Sequence, residues 1–174
     1  MTIAVCDTGP LTHLWQIDLA VLFSTFEALH IPTQVVQEVQ GHVPLDRLPS
    51  LADCQVHVHS VSESEILALQ ECLSPRLTAL EPADLATLAL AQRLQPDLVL
   101  TDDLALRRAV EAIGLTPMGS VGILLRGYKR GLLDAEGLEQ AIDKLFVHST
   151  LYLSPRFKSY VRRLVADVLQ RGRT

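Results

Sequence analysis

Asp97-Leu98-Val99-Leu100-Thr101-Asp102-Asp103 is the stretch that decides how this chain is read. Its apolar, partly β-branched run is bounded by acids, the pattern of a strand buried on both faces. A helix from about Leu104 to Ile113 follows, stopped by Gly114. The first residues repeat the pattern. Ile3 to Cys6 is a short apolar strand that ends at Asp7-Thr8-Gly9-Pro10, and Pro10 suits a first helical turn, where its missing N–H costs nothing.

The rest of the chain alternates in the same way. Leu11, Leu14 and Trp15 recur at helical spacing, and Leu19, Leu22, Phe23 and Phe26 predict a second helix. His30-Ile31 predicts a strand closed by Pro32, from which a short helix runs to Val39. Residues 41–52, with two prolines and a glycine, read as a loop. Val56-His57-Val58-His59 reads as a strand with one wet face, and Ser62 to Cys72 as a capped helix. Glu81-Pro82-Ala83-Asp84 opens a helix through Leu94, its acids placed where the dipole favours them. Leu115 to Met118 is a last strand. Helices follow from Ser120 to Gly131, from Asp134 to Phe146 and from Pro155 to Arg171. Strands alternating with helices predict an α/β domain around a mostly parallel sheet.

In such a sheet ligands sit at the carboxyl ends of the strands, and acids stand there. Asp7 follows the first strand and Asp102-Asp103 the one quoted above; Glu38 and Asp84 sit on helices able to face the same edge. Each has a plain structural explanation: Asp7 as a turn residue, Glu38 as a solvated helix residue, Asp84 as a dipole partner, Asp103 as a cap with Asp102 a bystander. Together they describe carboxylates that would repel unless a hard cation such as Mg²⁺ or Mn²⁺ neutralised them. Phosphodiester hydrolysis fits that chemistry.

These segments resemble a family. Val5 to Leu11, Ile31 to Val39, Asp84 to Ala89 and Leu98 to Asp103 with Leu106-Arg107-Arg108-Ala109 look like PIN-domain signatures. Gly114 to Leu125 and Lys129 to Leu133 are similar to a prokaryotic subgroup of predicted nucleic-acid-binding proteins, related to the toxin nucleases of toxin–antitoxin pairs. The resemblance spans roughly residues 3–147 and implies a three-layer α/β/α fold and a Mg²⁺- or Mn²⁺-dependent endoribonuclease leaving a 5′-phosphate and a 3′-hydroxyl. It puts the acidic quartet on Asp7, Glu38, Asp84 and Asp103. Asp102 lies adjacent as a further metal candidate, and Thr8 and Thr101 are supporting hydroxyls. It also implies a homodimer and a small antitoxin partner. The chain departs from the subgroup at Ala83-Asp84, where a Gly-Glu pair is common, and in a longer segment over 41–80.

Length and composition set the bounds. The 174 residues, 48% apolar and 20% charged, suit one ordinary domain and exclude a disordered tail. We expect a nuclease domain over 1–150 and a basic helical extension over 151–174 that packs on the domain or on a partner. Fifteen Lys and Arg against twenty Asp and Glu exclude a uniformly basic coat. Six of the fifteen, Arg156, Lys158, Arg162, Arg163, Arg171 and Arg173, fall in that extension beside the single acid Asp167. Arg107, Arg108, Lys129 and Arg130, with Arg126, form a second basic group expected to touch RNA phosphates; a solvated helix face explains either group equally well.

No apolar run reaches the roughly 18 residues of a membrane helix. Nor does a basic leader open the chain, so a cytoplasmic protein is expected. Three cysteines without CxxC spacing exclude a disulfide framework or thiolate zinc site. His57 and His59 share a strand face but lack a third ligand nearby in sequence, and read as surface histidines. A phospho-accepting receiver domain would need an acidic pair after the first strand, where Cys6 and Thr8 flank Asp7.

Overall fold

Strand β1 (Ile3–Cys6) is the axis of the molecule: Ala4, Val5 and Cys6 are completely buried. In this computed structural model, which describes residues 2–73 and 80–171, β1 is flanked on one side by β2 (Ala28–Pro32) and β3 (Gln55–His59). On the other side lie β4 (Leu98–Leu100) and β5 (Pro117–Met118), giving the order β3-β2-β1-β4-β5. Every neighbouring pair is parallel, with Ala4 beside Leu29 and Val5 beside Val99. Arg173 of the basic tail and positions 74–79 of the long segment lie outside the described residues.

Alternation along the strands sends side chains into two cores. Ala4, Cys6 and Leu100 join a larger core with helices α1 (Thr8–Gln16), α2 (Thr33–Val39) and α3 (Leu48–Ala52). Val5 and Val99 join a smaller one with α4 (Glu63–Cys72), α5 (Pro82–Leu94) and α6 (Leu104–Ala112). The larger core is completed by α7 (Ser120–Lys129), α8 (Ala135–His148) and α9 (Pro155–Arg171). Helices thus cover both faces of the sheet, the three-layer α/β arrangement that continuous apolar strands require.

Two stretches differ from expectation. Residues 41–52 are not plain loop: a 3₁₀ turn over Leu45–Arg47 leads into α3, whose Leu48 and Ala52 are buried. The prolines read as breakers stand where helices accept them, Pro44 before the turn and Pro49 in the first turn of α3. The helix expected over Leu19 to Phe26 is a 3₁₀ segment, Ala20–Thr25. Its three-residue period stacks Ala20 with Phe23 and Leu22 with Thr25, and these four are the residues it buries.

The chain builds β1, β2 and β3 outward in one direction, then returns to the far side of β1 for β4. The strand order therefore reverses between β1 and β4, and a crevice opens beyond their carboxyl ends. Asp7 and Asp102-Asp103 stand on its two lips.

Candidate active site

Asp7 ends β1 and precedes α1, with only 5% of its surface exposed. The Thr101 hydroxyl donates to Asp7 Oδ2 at 3.2 Å and accepts the Asp103 N–H at 3.1 Å, which ties the two lips together. Burial, with the charges of Asp84 and Glu38 adding, pushes the Asp7 carboxyl up to about 7, against the backbone and Thr101 hydrogen bonds that favour its ionised form. Asp84, in the first turn of α5, is half-buried and accepts the Glu81 N–H at 3.2 Å in a reciprocal capping box. Burial raises it to about 6, helped by the charges of Asp103, Glu81 and Glu38. Glu38 projects from α2 as an exposed side chain and accepts the Thr8 hydroxyl at 2.6 Å.

The two acids after β4 do different work. Asp103 is exposed and caps α6, accepting the Leu106 N–H at 2.7 Å. Asp102 is no bystander: its Oδ1 accepts Ser120 N–H at 2.7 Å, and its Oδ2 meets the Ser120 hydroxyl and His13 Nδ1, the latter at 2.7 Å. A Cβ on Gly119 would stand 2.8 Å from Asp102 Oδ1, so only glycine lets the start of α7 approach this carboxylate. Asp102 thereby fastens α1 and α7 to the end of β4.

Asp7, Glu38, Asp84, Asp102 and Asp103 all line one open cleft of about 480 Å³, with Thr8 beside them and Thr101 buried behind. Glu81, His13, Thr150, Leu151 and Tyr152 also line it, with the small residues Gly9, Ala83 and Ala105. No lysine or arginine is among the described lining residues. Arg107 is half-buried, Arg108, Lys129 and Arg130 are exposed, and none of the four lines the cleft. The acids surround it without closing on a point: among the described residues no three His, Cys, Asp or Glu side chains are gathered as a ready metal cage.

With this geometry in view, the comparison with known families is decisive. A family model described as a PIN domain matches residues 3–167, nearly the whole chain and well into α9. The chain belongs to the PIN-domain family. No curated protein matches it. PIN domains are generally nucleases and generally employ divalent metal ions, and this PIN domain has the corresponding nuclease-like fold. Its donor set suits such an ion: hard oxygens, two of them on carboxyls raised by burial and neighbouring charges, with no lysine or arginine among the described lining residues to relieve them.

Sequence reasoning did not find the parts of this PIN-domain cleft that come from far along the chain. Thr150 to Tyr152 reach it from the connection after α8, and no spacing rule links them to Asp7. Glu81 carried a legible signal, the Glu81-x-x-Asp84 box, but read only as a dipole partner. His13 meets Asp102 across 89 positions of sequence, a pairing no local pattern announces.

Proposed function

We propose that this PIN domain is a metal-dependent endoribonuclease, acting as the toxin of a toxin–antitoxin pair. The observation that carries the reading is the pair Asp7, buried, and Asp84, half-buried, carboxyls raised to about 7 and about 6 in a cleft whose described lining holds six acids and no lysine or arginine. Asp7, Glu38, Asp84 and Asp103 would hold Mg²⁺ or Mn²⁺; when bound, the ion supplies charge neutralisation at the phosphate and a more acidic water. Thr101 holds the Asp7 carboxylate in place, and Thr8 does the same for Glu38. Asp102, its oxygens engaged by Ser120 and His13, keeps the two lips in register. Arg107, Arg108, Lys129 and Arg130 lie outside the cleft and would meet phosphates further along the RNA. A homodimer, an antitoxin partner and the division into a nuclease domain over 1–150 and a basic helical extension over 151–174 belong to the same proposal.

A second reading, an RNA- or protein-binding module that does not cut, draws on the open spacing of the acids and on the hydrogen bonds already made by Asp102 and Asp103. Cleavage of a fluorescent RNA with Mn²⁺ separates the two. The wild type should cut, Asp7→Asn and Asp103→Asn should lose at least about 100-fold in rate, and Mn²⁺ should raise the melting temperature of the wild type but not of Asp7→Asn. An uncleaved RNA and an unmoved melting temperature at millimolar Mn²⁺ would leave the binding module standing.

A further inference from the structure

One wall of the cleft is chemically unlike the rest. Six of the cleft's described lining residues are acids, and a polyanionic strand gains no attraction from them. The connection between α8 and α9, residues 149–154, lines the same cleft and brings Thr150, Leu151 and Tyr152 to it. The connection is pinned. The Thr150 N–H and hydroxyl both donate to Gln16 Oε1, at 2.8 and 3.1 Å, and Gln16 is the last residue of α1, the helix that Asp7 begins. The Leu151 N–H donates to Ser149 Oγ at 3.2 Å, and the Leu151 side chain packs on the larger core.

Tyr152 therefore has a fixed backbone anchor but a free ring. It is 88% exposed, the highest value among the large apolar side chains described, and makes no ring contact or hydrogen bond among the described residues. A flat, unpartnered aromatic on the rim of a cleft that accommodates a molecule of nucleotide size is a surface for a π-face. Building on the ribonuclease reading, we propose that Tyr152 is the stacking platform for the nucleobase next to the scissile phosphate. The protein then selects RNA whose base at that position is unpaired, because a base inside a duplex has no face to offer. Stacking also supplies what the acidic wall cannot, attraction for the substrate that does not depend on charge.

The test uses the full-length chain carrying Asp7→Asn to prevent cutting, without added metal, and single-stranded RNA oligonucleotides bearing 2-aminopurine at successive positions. Fluorescence quenching at one position is expected, and Tyr152→Ala should abolish it and weaken binding about 5- to 100-fold. Tyr152→Phe and Tyr152→Trp should keep both. The inference is overturned by quenching that survives Tyr152→Ala, by a Phe variant as weak as Ala, by a parent that binds no oligonucleotide, or by a change in oligomeric state on Tyr152→Ala, which would make the ring a contact between copies. Wild-type cleavage of the same RNA tells the two readings apart. Quenching without cleavage removes the nuclease and leaves the platform; cleavage indifferent to Tyr152→Ala does the reverse.

Discussion

At the scale of residues, the carboxyl of Asp7 links the chemistry of the site to the stability of the fold. Its native value, about 7, lies above the ordinary 3.8, so the folded state holds a proton that the unfolded chain releases. The stabilisation is complete below about pH 4 and is lost as pH rises through 7. The metal-free protein should therefore lose up to about 4 kcal/mol across that window from this group, and Asp7→Asn should remove that part of the slope, leaving the smaller share of Asp84. Urea denaturation of both proteins at pH 5 and pH 8 measures it: a wild type no more pH-sensitive than the variant contradicts the burial argument. Added Mn²⁺ should offset the loss at pH 8 in the wild type alone. The types and order of the acids were legible because acids at strand ends are informative in a parallel sheet. Which acids keep free oxygens was not, since Ser120 and His13 reach Asp102 from elsewhere in the chain.

At the scale of elements, β3 is an edge strand whose bond to β2 includes an imidazole cluster. His30 stands opposite His57 in the register, and its Nδ1 lies 2.8 Å from His59 Nε2, with ring centroids 5.0 Å apart in both pairings. The surface pair expected on β3 is thus partnered across the strands. Burial and the neighbouring imidazole hold His30 below its ordinary value; burial and Arg93 do the same for His59. Their contribution to stability is present above about pH 6.5 and is lost as pH falls and both are forced to charge. Amide exchange at Gln55–His59 should accelerate from pH 7 to pH 5.5, after correction for intrinsic rates, more than exchange at Ile3–Cys6. Replacing His30 with Gln should abolish the difference; equal acceleration in both strands would defeat this account. The sequence marked β3 as a strand from its alternation, but a partner 29 positions away is supplied by register and by no local pattern.

At the scale of the whole molecule, α9 belongs to the main core. Val161, Val165 and Leu169 are buried in the cluster that contains Ala4 and Leu100 of the central strands. Leu169→Ala should cost about 2–4 kcal/mol in a single cooperative transition seen by both circular dichroism and Trp15 fluorescence. A separate early transition confined to the C-terminal helix would instead mark residues 151–174 as an independent unit. No helix among the described residues is long and apolar enough to cross a membrane.

The sequence by itself determined the α/β alternation, the existence of all five strands, and the acids at their carboxyl ends, because those depend on periodicity and on chain-local chemistry. It misread 19–26 and 41–52, where the 3₁₀ period and helix-tolerant prolines compete with the α-helical and loop patterns they resemble. Only the tertiary structure decided that the strand order reverses between β1 and β4, that Asp102 is spent on Ser120 and His13, and that Tyr152 comes to the rim of the acidic cleft. The reason is physical: each of these depends on which distant segments share a sheet edge, and that is settled by packing two cores at once rather than by any residue's neighbours in sequence.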